Sequence, residues 1–193
     1  MVTRPQIERR EAVRLLLDDR GGLLVVSGLG SPTWDLAAAG DHPRNFYLWG
    51  AMGGAAMAGL GMARAQPGLP VMVLTGDGEM LMGMGSLATI AAAAPANLSI
   101  VVLDNRHYAE TGMQPSHTGM GTRLDEVARG CGFAWSARHC DIQELAALRQ
   151  RIHAMEGPGL AVLEVETTDQ PRIMPSRDGV FIKNRFRADL RRS

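Results

Sequence analysis

A lone carboxylate stands between two glycines in Gly76-Asp77-Gly78, and a polar pair, Asp104-Asn105, closes the next apolar run. Between them lies enough chain for one helix and one strand. A single β-α-β unit would therefore bring Asp77 and Asn105 to one edge of a sheet. In open α/β sheets that edge, at the carboxyl ends of the strands, is where ligands bind. A carboxylate and a neutral amide oxygen are hard donors. Mg²⁺ commonly takes one or two such protein ligands and completes its octahedron with water and phosphate oxygens. A single carboxylate leaves that ion positive charge for an anionic diphosphate. Gly76 and Gly78 keep Cβ atoms out of the way of an approaching ligand. The same residues admit a plainer reading, in which Asp77 caps the following helix and Asn105 only shapes a turn.

The elements that must hold these residues alternate along the chain. An amphipathic helix is predicted over Pro5–Asp19, with Val13, Leu16 and Leu17 on one side. Apolar runs at Gly22–Gly28, Asn45–Gly50, Pro70–Thr75, Leu98–Asn105, 133–139 and Gly159–Thr167 read as strands. Ala51–Ala65 is apolar nearly all round, which predicts a buried or interface helix, and Ser86–Ala94 predicts a second buried one. A further helix over 122–132 closes at Gly130, and another over 141–155 starts with a capping box of Asp141 and Glu144. Continuously apolar strands alternating with helices mean a parallel sheet covered on both faces. The reading is one doubly wound α/β domain followed by a basic tail.

With 193 residues, 46% of them hydrophobic and 21% charged, the chain can bury a sizeable core and is not globally disordered. Lys plus Arg equals Asp plus Glu at 20 each, which argues against a nucleic-acid partner. No apolar run reaches membrane-spanning length, and the N-terminus lacks the apolar core of a secretion signal. Cys131 and Cys140, without a His pair at ligand spacing, read as reduced thiols of a cytoplasmic protein. Glycine concentrates in Gly50–Gly61 and Gly76–Gly85, where backbone must come close to another helix or a ligand.

Gly76-Asp77-Gly78 followed by Asp104-Asn105 resembles the thiamine-diphosphate motif "GDG … NN", with Asp104 in place of its first Asn. The preceding "LWGAMGGAAMAGLGMA" is similar to the segment before GDG in acetolactate synthases and other 2-oxoacid decarboxylases. The following "DNRHYAETGMQP" is similar to phosphonopyruvate and sulfopyruvate decarboxylases. The resemblance implies a three-layer α/β/α thiamine-diphosphate-binding fold around a mostly parallel sheet of about six strands. It assigns Residues 1–170 to the diphosphate-side domain and 171–193 to the basic tail.

Site roles follow from the same resemblance. Asp77 and Asn105 would ligate Mg²⁺ through side chains and His107 through its backbone carbonyl. The backbone of Gly76, Gly78 and Glu79 would hold diphosphate oxygens, aided by the helix N-terminus. Gly50 would offer its carbonyl to the pyrimidine, Met52 would prop the cofactor, and Gly28 would line the diphosphate. In the loop that follows, His117, Glu110 and Gln114 are candidates for proton handling, although His117 reads equally well as a satisfied loop histidine. Arg106 reads as a substrate contact or, preferably, a solvated charge.

The glutamate that activates the cofactor in such enzymes lies on a pyrimidine-binding domain, for which this chain has no room. A separate pyrimidine-binding subunit in a hetero-oligomer is therefore expected, with the tail strip "GVFIKNRF" docked on it. The activity implied is decarboxylation of a small 2-oxoacid. Carboligation of the acetolactate type and a non-catalytic regulatory subunit are the alternatives.

Overall fold

The computed structural model describes residues 7–191, so Pro5 and Gln6 of the expected first helix, and Arg192 and Ser193 of the tail, lie outside it. The chain runs through α1 (Arg9–Leu16), β1 (Leu24–Ser27), α2 (Ser31–Ala38), β2 (Asn45–Tyr47) and α3 (Ala55–Ala65). It continues with β3 (Val71–Gly76), α4 (Asp77–Met82), α5 (Ser86–Ala93) and β4 (Leu98–Asp104). A small antiparallel hairpin follows, β5 (His107–Tyr108) and β6 (Gln114–Pro115), with a 3-10 turn at Ala109–Thr111 between them. Then come α6 (Leu124–Cys131), β7 (Trp135–His139), α7 (Leu145–His153), β8 (Gly159–Glu164) and α8 (Gly179–Leu190).

The larger strands form one six-stranded sheet in the order β2-β1-β3-β4-β8-β7. All its pairings are parallel. Because successive strand residues face opposite ways, each strand feeds two apolar layers. Met72, Leu74, Val101 and Leu163 pack with α1, α2 and α7 on one face. Val71, Val73, Ile100 and Val102 pack with α3, α5 and α6 on the other. The α/β/α layering read from the sequence is the observed one.

Two features of this topology place the site. From β1 the chain moves outward through α2 to β2, then returns through α3 on the opposite face to β3 on the other side of β1. This reversal opens a crevice at the carboxyl ends of β1 and β3. Register does the rest: Gly76 pairs with Leu103, and Asp104 with Glu164, so Asp77 and Asn105 leave the sheet side by side.

Several expectations need correction. The helix at Ala51–Ala65 starts only at Ala55, because Gly53 takes a left-handed φ of +84° and the chain turns before it can coil. One face of α3 is buried, where a Cβ on Gly59 would overlap the Val73 side chain, while Met57 on the other face is 41% exposed. Helix α5 buries only Leu87 and Ile90, since a sheet covers one side of an outer helix and leaves its alanine face outside. Helix α6 runs past Gly130 and ends at Gly132, whose φ of +97° supplies the left-handed C-cap. Asp141 does cap, accepting from Gln143 N, but Glu144 turns away to His139 Nδ1 at 3.0 Å, so the box is not reciprocal.

The tail is not free chain. Asp178 caps α8, whose Ile182 and Phe186 are buried against the domain itself. Phe186 meets Phe46 of β2 edge to face at 5.7 Å, and Arg185 and Asp189 pair with Asp41 and Arg44. The apolar strip is thus divided: Val180 and Phe181 stay exposed. Among the described residues, no helix is long and apolar enough to cross a membrane.

Candidate functional site

A cleft lies at the carboxyl ends of β1, β3 and β4. Its walls are Leu29 and Ser31 after β1, Gly76 to Glu79 where β3 becomes α4, and Asn105 with His107 to Thr111 leading into the hairpin. Met52, Arg9, Pro32, Leu103 and Val165 also line it. The structure therefore brings Met52, Gly76, Asp77, Gly78, Glu79, Asn105, His107 and Glu110 to one cleft. It leaves Gly50, Gln114 and His117 exposed and off its walls.

Asp77 is buried at 3% exposure. Its Oδ2 accepts from Ser116 Oγ at 2.5 Å and lies 3.2 Å from Thr118 Oγ1. Thr118 Oγ1 is also 2.7 Å from Asp104 Oδ1 and 2.8 Å from Ser116 Oγ. A threonine hydroxyl has one hydrogen to give. Two buried carboxylates thus share fewer donors than they have lone pairs, and Asp104 Oδ2 has no partner among the described residues. Burial, reinforced by the neighbouring Asp104 charge, pushes the Asp77 carboxyl up to about 6. A site short of positive charge in this way suits a hard cation, and the donors around it are all oxygens.

Asn105 is half-buried, and its Oδ1 accepts the His107 N–H at 3.0 Å in a turn whose middle residue, Arg106, has φ of +63°. The plainer reading of Asn105 as a turn-former is therefore met as well. An amide oxygen has a second lone pair, which remains for a ligand. Arg106 does not line the cleft, and its side chain stays 40% exposed while it makes an ion pair. It pairs with Glu164 of β8 at 2.5 Å, and Glu164 is only 2% exposed. That ion pair fastens the base of the hairpin to the sheet.

The glycines around the cleft are spaces for neighbours. A Cβ on Gly78 would come within 2.9 Å of the Tyr108 ring, so the hairpin lies directly on the first turn of α4. A Cβ on Gly28 would overlap the carboxylate of Glu79. Glu79 is buried, which pushes its carboxyl above the usual range, and it accepts from Thr75 Oγ1 at 2.9 Å and Ala55 N at 3.4 Å. Its side chain thereby ties β3, the start of α3 and the β1 loop together, while its backbone faces the cleft's helix start. His117 and Tyr108 share a hydrogen bond of 2.7 Å between Nδ1 and the phenol.

Sequence reasoning missed Ser116, Thr118, Arg9 and the side chain of Glu79. Serine and threonine after a hairpin carry no pattern of their own, and only the fold of the hairpin back over α4 aims them at Asp77. For Glu79 a signal existed: an acid in an otherwise apolar stretch behind Gly28.

Residues 30–165 match the family model described as thiamine pyrophosphate enzyme, C-terminal TPP binding domain. The chain belongs to the thiamine pyrophosphate enzymes. Sulfopyruvate decarboxylase subunit beta of Methanothermobacter thermautotrophicus is 38% identical over 185 residues, 96% of each chain. The subunit beta of Methanocaldococcus jannaschii is 45% identical over 110 residues, covering 57% of this chain and 58% of that relative. Phosphonopyruvate decarboxylase of Streptomyces viridochromogenes is 36% identical over 180 residues, and there the match covers 91% of this chain but only 44% of the relative. At the level of fold, the chain superposes on 2-oxoglutarate:ferredoxin oxidoreductase from Magnetococcus marinus with a TM-score of 0.66 and 20% identity, covering 94% of this chain and 65% of that one. The thiamine-pyrophosphate fold read from Gly76-Asp77-Gly78 and Asp104-Asn105 is the fold observed.

Proposed function

We propose that the chain is the diphosphate-binding subunit of a heteromeric, cytoplasmic thiamine-diphosphate-dependent decarboxylase acting on a small 2-oxoacid. The observation that carries this reading is the cation-poor cluster at the strand ends, where Asp77, Asp104, Ser116 and Thr118 are buried with too few protons among them. Mg²⁺ relieves that deficit. Asp77 and Asn105 would hold it by side chains and His107 by its carbonyl, at the wall of the cleft they already line. The N–H groups of Gly78 and Glu79, in the first turn of α4, would hold diphosphate oxygens; no side chain caps that turn. Met52 and Leu29 supply apolar wall beside that site.

Thiamine diphosphate, when bound, supplies the electron sink that lets a 2-oxoacid lose CO₂. The chain's own part is to hold, orient and move protons. Glu110 borders the cleft and is the acid placed to exchange a proton with the product carbon. His117 would serve Tyr108, to which it is bonded, rather than the reacting atoms. Sulfopyruvate- or phosphonopyruvate-like acids are the substrates that the relatives' names favour.

A pyrimidine-binding subunit is the partner. Met52, Met57, Met82 and Met84, in or next to α3 and α4, are all exposed, and flexible thioether side chains adapt well to a partner surface. Exposed Val180 and Phe181 of α8 extend the same provision to the tail. Reconstitution tests the reading. The chain alone should release no CO₂ from 3-sulfopyruvate or 3-phosphonopyruvate, and adding the pyrimidine-binding subunit should switch release on. Full activity from a homogeneous homo-oligomer of this chain would contradict it.

A further inference from the structure

Arg9 opens α1, which is anchored just before it to the sheet: Ile7 N donates to Glu164 O, and Glu166 N donates to Ile7 O, each at 3.0 Å. The residue is 6% exposed, and it lines the cleft. Its Nε donates to Asp35 on α2, a fully buried carboxylate that also receives Arg10 Nε at 3.2 Å. One carboxylate held by two guanidinium groups leaves one positive charge in excess; Arg10 is the more exposed of the two and also donates from Nη2 to Pro171 O, whereas Arg9 is buried. Holding α1 on α2 requires only one of them, and burying a second arginine for that purpose alone is costly. Among the described residues Arg9 hydrogen-bonds through Nε, which leaves its two Nη groups for other partners, and the residue lines the cleft.

The other fixed charges on the cleft walls are Asp77, Glu79 and Glu110, all carboxylates. Among the described lining residues Arg9 is the one permanent cation. A planar guanidinium with free N–H groups matches a sulfonate, phosphonate or carboxylate with two parallel hydrogen bonds. We infer that Arg9 binds the distal acidic group of the substrate and so sets the preference for 2-oxoacids that carry one. This rests on the decarboxylase reading above and names the residue that selects within it. Asp35 is then the positioning residue that keeps the guanidinium flat against the cleft wall.

The test uses the chain assembled with its pyrimidine-binding subunit, thiamine diphosphate and Mg²⁺. It compares kcat/KM for 3-sulfopyruvate, 3-phosphonopyruvate and oxaloacetate with that for pyruvate, which lacks the distal acid. Arg9→Met should lower the acid-to-pyruvate ratio about 100-fold, the size expected when a charge-assisted hydrogen-bonding partner is removed. Arg9→Lys, which keeps the charge but loses the fork, should recover part of that ratio and guards against a misfolded first variant. Calorimetric affinity for thiamine diphosphate should be the same in Arg9→Met and wild type. An equal fall for all four substrates would overturn the inference, leaving Arg9 as a strut on Asp35. A fall in thiamine diphosphate affinity in Arg9→Met would overturn it too, by assigning the guanidinium to the cofactor's own phosphates. A wild-type complex that binds no thiamine diphosphate would overturn the decarboxylase reading itself, whereas an unchanged ratio in a loaded complex sinks only the role of Arg9.

Discussion

At the amino end of β4, the buried Asn97 directs its side-chain amide at the carbonyls of Ala63 (3.2 Å), Gln66 (2.9 Å) and Leu69 (2.8 Å), closing the loop between α3 and β3. At the carboxyl end of the same strand, Asp104 has one oxygen with no partner among the described residues, and Asp77 beside it is held by hydroxyls with too few hydrogens. Both ends are buried, and both belong to the same parallel pair of strands. The amino end is saturated, with more acceptors than the amide has N–H bonds. The carboxyl end is left in deficit. Native interiors satisfy nearly all their buried polar groups, so a local shortage of positive charge marks where something from outside completes the structure. The Asn97 amide is fully engaged at one end of β4, and Asp104 keeps an unpartnered oxygen at the other.

Exchanging the two ends' roles by mutation sharpens this contrast. The largest effect on stability is expected from Asn97→Ala, which takes the amide donors from the carbonyls of Ala63 and Leu69, while Gln66 O keeps the Leu69 N–H. Urea unfolding should show a loss of roughly 2–4 kcal/mol, while the folded fraction keeps wild-type affinity for thiamine diphosphate. A cofactor-binding defect there would erase the distinction between the ends. Ser116→Ala should do the opposite. Unfolding should change by less than about 1 kcal/mol, but Mg²⁺ affinity of the complex should weaken about 10–100-fold, as for other residues that orient a metal ligand. If Ser116→Ala unfolds the protein instead, the carboxyl-end cluster is a structural device like Asn97.

The layered architecture was legible in the sequence because its signal is local and repeated. Apolar runs such as Leu98–Asn105, spaced by helices, can be buried only in a parallel sheet covered on both faces. That Asp77 and Asn105 come to one edge of the sheet was legible for a related reason: polar residues at the ends of apolar strands violate the pattern around them. What the sequence did not disclose depends on three-dimensional return of the chain. Ser116 and Thr118 reach Asp77 only because the β5–β6 hairpin folds back over α4, and Arg106 finds Glu164 across a strand pairing far along the chain. Helix extents fared less well where two glycines competed. Gly130 and Gly132 flank one turn, and only backbone φ decides that the second ends α6. The uniformly apolar look of Ser86–Ala94 misled because alanine tolerates solvent as readily as the core.

The central claim is that ionised Asp77 completes a cation site for the cofactor's diphosphate. Its carboxyl is raised to about 6, so acidification through that value places a proton where the cation must bind. The direct measurement is calorimetric Mg²⁺-dependent binding of thiamine diphosphate to the assembled complex at pH 7 and pH 5, for wild type and Asp77→Asn. Wild-type affinity should fall on going to pH 5 by roughly tenfold more than that of the variant, the share due to protonating Asp77. Asp77→Asn should be weak at both values. Wild-type affinity in Asp77→Asn, or a pH response identical in the two proteins, would contradict the account.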